Sequence, residues 1–188
     1  MRNISVFMAF ALICWMDSSG SQRDPDFGHA DRETVRLQPR HFVGVPELVK
    51  ATLSQLGCRI PQPWGTNEKP CNLIRGEFME TGRAQWAALC SRNRSSAIIV
   101  IDENGRVRAE LASVSDRDYL QGIGNGKIGY SRELAPVGAD YILSHYQAYG
   151  GPKPPPIDHQ GINDAFLEKA SIVHYFHEGK WLQLTGAD

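Results

Sequence analysis

Apolar residues in this chain mostly alternate with polar ones or bunch into short runs, and only two segments carry a helical period. Val49, Leu53 and Leu56 recur at i, i+4 and i+7 behind Pro46 and Glu47, and Gly57 follows them. Proline fits a first helical turn, an acid favours the N-terminal end, and glycine supplies a left-handed exit, so a helix of about eleven residues is predicted. Tyr141, Ile142, His145 and Tyr149 share one face of a second predicted helix over residues 135–149, with Pro136 near its start and Gly150-Gly151 at its end.

Strand patterns fill most of the rest. Residues 72–78, 85–90, 96–101 and 106–111 read as strands, and Ile98-Ile99-Val100-Ile101 is the most strand-like run. Glu103-Asn104-Gly105 closes one predicted hairpin, and Glu178-Gly179 closes another between residues 170–176 and 180–184. Residues 59–70 hold three prolines and read as a loop, residues 119–130 as an irregular strand or loop, and residues 152–156 as a stiff polyproline connector. Few helices among many short strands predict an α+β class: a single domain over 45–188 with an antiparallel β-sheet and about two helices on one side.

The N-terminus suggests where such a domain works. Met1-Arg2-Asn3 precedes a 4–16 apolar stretch of signal-peptide length, too short to span a bilayer, and Ser18-Ser19-Gly20-Ser21 supplies small residues for cleavage. A signal peptide over 1–22 is predicted, then a polar, flexible leader over 23–44, with export to the periplasm or the cell exterior. With Cys14 removed, Cys58, Cys71 and Cys90 remain. An odd count in an oxidising compartment predicts one disulfide and one thiol outside it, Cys58 pairing with either Cys71 or Cys90. Twenty basic against 21 acidic residues give a net charge of −1. No basic stripe points to nucleic acid, no polybasic segment to anionic lipid, and no membrane span is predicted after signal removal.

The densest candidate chemistry lies at Asp158-His159-Gln160-Gly161-Ile162-Asn163-Asp164. Asp158, Gln160 and Asp164 could offer oxygens to calcium around a bend at Gly161, making calcium the one candidate cofactor. Pro156 and Leu167 stand where an EF-hand needs carboxylates, so that motif is excluded. The bland alternative is a turn capped by its own Asp and Asn side chains. The letters GxGxxG at 124–129 lack the strand, helix and later acid of a dinucleotide site and read as turns. His174 and His177, three apart on a predicted strand, point to opposite faces and cannot share a metal. Ser171, His174 and Asp164 could form a hydrolytic set, as could His159, but no GxSxG elbow supports one. No catalytic residue is therefore assigned.

Two resemblances to known proteins follow from short runs of residues in the chain. Gly76-Glu77-Phe78, a turn and Gln85-Trp86-Ala87-Ala88-Leu89-Cys90 resemble one strand-turn-strand unit of FG-GAP-like β-propeller repeats, without the acidic calcium residues of that turn. Residues 45–188 resemble a group of short exported bacterial proteins, mostly uncharacterised, through these phrases, Gly57-Cys58-Arg59-Ile60-Pro61-Gln62, Asp158-His159-Gln160-Gly161-Ile162 and Glu168-Lys169-Ala170-Ser171. That resemblance implies Cys58 paired with Cys90, leaving Cys71 outside the bridge, and brings no activity. The reading is an exported, non-catalytic binding or interaction domain with an unknown protein or cell-envelope partner and a candidate calcium-ordered loop. Its alternatives are a small secreted hydrolase and an inhibitor of a foreign hydrolase such as lysozyme.

Overall fold

The computed structural model describes residues 26–65 and 69–184, so the predicted signal peptide lies outside the described residues. In chain order, α1 (Phe27–Glu33) leads into β1 (Arg36–Leu37), then α2 (Glu47–Gln55) and β2 (Ile60–Pro61), which pairs with β1. β3 (Leu73–Gly76), β4 (Gln85–Arg92), β5 (Ser95–Asp102) and β6 (Val107–Ser115) form an antiparallel meander, the first large sheet. A small hairpin, β7 (Leu120–Gly122) and β8 (Ile128–Tyr130), precedes β9 (Arg132–Val137) and α3 (Ala139–Tyr149). β10 (Gly161–Phe166), β11 (Ala170–His177) and β12 (Lys180–Leu184) join β9 in the second large sheet, ordered β12-β11-β10-β9.

Alternation along β4 and β5 explains the layering. Trp86, Ala88, Cys90, Ile99 and Ile101 pack on Val49 and Leu53 of α2. The intervening Ala87, Leu89, Ile98 and Val100 pack on Leu134 and Ile162 of the second sheet. The opposite face of that sheet presents Val137, Val173 and Tyr175 to Ile142 of α3. The order is thus α2, first sheet, second sheet, α3. A sheet covered on both faces needs apolar side chains in both directions, which accounts for the unbroken aliphatic run at 98–101. Each of those four residues is at most 1% exposed, and burying such a side chain stabilises by roughly 1.5–3 kcal/mol.

The α+β expectation is corrected by this arrangement. Among the described residues the fold is a single mostly-β domain of twelve strands in four antiparallel sheets with three α-helices. α2 and α3 cover opposite outer faces, not one side of a single sheet. The second predicted helix starts four residues late, at Ala139, because residues 132–137 are strand β9. Pro136 is accommodated there because β9 is an edge strand. Residues 119–130, left open between strand and loop, end a 3-10 turn and form the β7–β8 hairpin, whose tip takes positive φ at Gly124, Asn125 and Gly126. From residue 27 onward the expected leader carries α1 and β1, and α1 packs on the β7–β8 hairpin. The candidate calcium turn is half strand, with residues 161–164 lying in β10.

The disulfide joins Cys58, just after α2, to Cys90 in β4. Both cysteines are buried within the α2 core. Replacing both with alanine is expected to lower the unfolding free energy by roughly 3–4 kcal/mol, the entropy of opening a loop of this length, read from urea unfolding.

Candidate ligand-binding groove

The polar side chains divide into two groups, one buried and structural, the other gathered at one end of the first sheet. Arg132 of β9 is fully buried. Its Nε and Nη2 donate to the two oxygens of Asp164 in β10, both at 2.8 Å. Nη1 donates to the Ser96 carbonyl of β5 at 3.1 Å and Nη2 to the Ala112 carbonyl of β6 at 3.0 Å. The Tyr119 ring lies 4.7 Å from the guanidinium carbon. One side chain therefore bonds both large sheets. Burial pushes the Asp164 carboxyl up, but the Arg132 guanidinium more than offsets that and holds it below the usual carboxylate range, with help from His174.

Ser96 carries the network onward through its hydroxyl, which donates to the fully buried Asp116. Asp116 also accepts from Ser91 at 2.6 Å and from Arg36 at 2.8 and 3.0 Å. Arg36 and Arg94 both bond Asp31 of α1. Burial raises the Asp31 carboxyl, and the two arginines again hold it low on balance.

The residues singled out for chemistry are spread through this framework. Asp164 has both oxygens on Arg132, Gln160 Oε1 accepts the Glu77 N–H at 3.0 Å, and the exposed Asp158 accepts the Tyr175 hydroxyl at 3.0 Å. The three candidate calcium ligands thus serve three different partners. Among the described residues no group of three or more His, Cys, Asp or Glu side chains converges for a metal. His174 approaches Asp164 at 3.5 Å, whereas Ser171, three residues away in β11, points to the other face. His159 stacks on Tyr175, with ring centroids 4.4 Å apart. Cys71 lies outside the Cys58–Cys90 bridge, its N–H donating to Gln62 Oε1 at 2.8 Å.

A groove of about 980 Å³ lies between the β3–β4 connection and the β5–β6 turn, with Gln160 on its third side. The β3–β4 connection is fixed by side chains that read its backbone. Gln85 Oε1 accepts the Phe78 and Met79 N–H groups at 2.8 and 3.1 Å. The Gln160 N–H donates to the Glu77 carbonyl at 2.9 Å, and Thr81 donates to the Asp158 carbonyl at 2.7 Å. A Cβ at Gly76 would sit 2.7 Å from Gln160 Oε1 and from the Phe78 ring, so this close approach requires glycine. The phrases Gly76-Glu77-Phe78 and Asp158-His159-Gln160-Gly161 are two halves of one junction.

Arg75, Arg83, Arg106 and Arg108 line the groove together with Glu77, Glu80, Asp102 and Glu103. Arg75 pairs with Glu103 and Arg83 with Glu80, both at 3.0 Å. Glu77 accepts the Gly82 N–H at 2.9 Å, and Asp102 accepts the N–H groups of Asn104 and Arg106 at 3.1 and 2.9 Å. These residues come from separate stretches of chain, and sequence reading missed the site. The clue available was two arginine pairs beside turns, Arg75 and Arg83 on either side of one and Arg106 and Arg108 just after another.

No family model, curated protein or solved structure matches the chain.

The depressed carboxyls of Asp164 and Asp31 contribute stability that is present above the ordinary carboxylate range and lost in acid. Unfolding free energy should therefore fall as pH drops below about 4. Arg132→Met strands Asp164 and should cost about 3–5 kcal/mol at neutral pH. That deficit should narrow in acid as Asp164 takes up a proton, a trend that urea unfolding at several pH values would read. Millimolar calcium should leave the melting midpoint within about 1 °C of its value in EGTA, since the candidate ligands are bonded elsewhere.

Proposed function

We propose that this chain is an exported, non-catalytic binding module that meets a protein or cell-envelope partner through the groove at the end of the first sheet. One observation carries the reading: where each polar side chain is committed. The buried set, Arg132, Asp164, His174, Asp116 and Asn72, is bonded across strands. The groove instead offers guanidinium and carboxylate groups on two turns held by a rigid sheet. Binding residues presented on loops above a stiff scaffold are a common arrangement.

Export draws support from the Cys58–Cys90 bridge, since disulfides persist in oxidising compartments, and from the apolar stretch at residues 4–16. The hydrolase alternative draws less support. Ser171 and His174 face opposite sides of β11, and the groove lining contains neither histidine nor serine nor cysteine.

Sedimentation with isolated bacterial envelopes tests the reading. The purified protein should be retained, and Asn104→Trp, which places a large ring at the groove mouth, should reduce retention at least fivefold. Undiminished retention of the folded variant would remove the groove from this role.

A further inference from the structure

Resting on the groove as the contact surface, the geometry points to an oxyanion ligand, a carboxylate or phosphate group, held by the guanidinium groups of Arg106 and Arg108. Donors and acceptors in the groove are unequally committed. Glu77 and Asp102 are turned toward backbone N–H groups of their own turns, while Glu80 and Glu103 each hold one arginine. Among the described residues Arg106 makes no ion pair, and Arg108 reaches Asp102 only at 3.6 Å, beyond hydrogen-bond length. Each guanidinium carries five N–H donors in a planar fork, and those of Arg106 and Arg108 are left without a hydrogen-bonded protein acceptor among the described residues.

The strand itself aims these side chains. Val100 pairs with Ala109 and Ile101 with Val107, which leaves Arg108 as the extra residue of a β-bulge. Arg108, the extra residue at the bulge, lines the groove together with Arg106. Guanidinium forks match the paired oxygens of a carboxylate or phosphate better than they match a neutral or cationic group, and those of Arg106 and Arg108 both line the groove. The four carboxylates balance the four arginines in formal charge. Selection therefore comes from hydrogen-bond geometry more than from a broad positive field. The neighbouring Arg75–Glu103 and Arg83–Glu80 pairs are exposed, and such pairs hold so weakly that an arriving oxyanion can compete for their donors.

Calorimetric titration of the purified protein with inorganic tripolyphosphate, tetraglutamate and tetralysine at two salt concentrations tests this. At least one oxyanion probe should bind, tetralysine should not, and affinity should fall as salt rises. Binding of tripolyphosphate alone supports a phosphate source, and binding of tetraglutamate alone a carboxylate source. Arg106→Gln, at an exposed position, should keep its circular dichroism spectrum and weaken the bound probe at least tenfold. Failure of both oxyanion probes, or equal affinity in the folded Arg106→Gln protein, overturns the inference. If envelope retention still depends on the groove in that case, the binding-module reading stands without it. If Asn104→Trp leaves retention unchanged, the reading itself falls.

Discussion

A guanidinium with no access to solvent bonds the two large sheets of this protein to each other. Arg132 stands on β9, binds both oxygens of Asp164 on β10, and reaches across to carbonyls of Ser96 and Ala112 on β5 and β6. Removing two charges from water is costly, and only near-complete hydrogen bonding makes the arrangement tolerable. That requirement fixes how the sheets lie on one another, because a slip of one residue would turn Asp164 or Arg132 to the opposite face. Apolar contacts between Leu89, Ile98, Leu134 and Ile162 supply bulk stabilisation, while the ion pair supplies register.

The same logic extends outward. Through Ser96 the buried network continues to Asp116, and from there through Arg36 to Asp31 and Arg94, tying α1 and the first strand into the body of the fold. Asn72 plays a parallel part, donating to the Pro61 and Arg132 carbonyls and accepting the Leu134 N–H. Its backbone at φ 69° is a conformation asparagine tolerates better than most residues. Asp164 and His174, singled out for chemistry, are thereby bonded within this framework. The groove at the end of the first sheet lies outside this buried network. There the Gly105 turn is braced on α2 by Thr52, whose hydroxyl donates to the Gly105 carbonyl at 2.7 Å. The groove therefore lies between two turns whose backbones are braced from the body of the fold.

Local pattern in the sequence determined a good part of this. The period of Val49, Leu53 and Leu56 placed α2, the run at 98–101 placed β5, and the turns at 103–105 and 178–179 placed two hairpins. Such features depend on neighbours within a few residues, and burial, capping and positive φ write them directly into residue choice. The groove was not legible, because residues 75–85, 102–108 and 160 meet only when separate strands pair. β10 was misread for a related reason. Asp164 and Asn163 beside Gly161 have turn propensity, and only a buried arginine 32 residues earlier in the chain makes a carboxylate acceptable inside a sheet. The sequence by itself therefore set most of the elements and the apolar faces they bury. Tertiary structure alone decided which polar residues became framework and which reached the surface, because the energy of a charge depends on partners that folding brings to it.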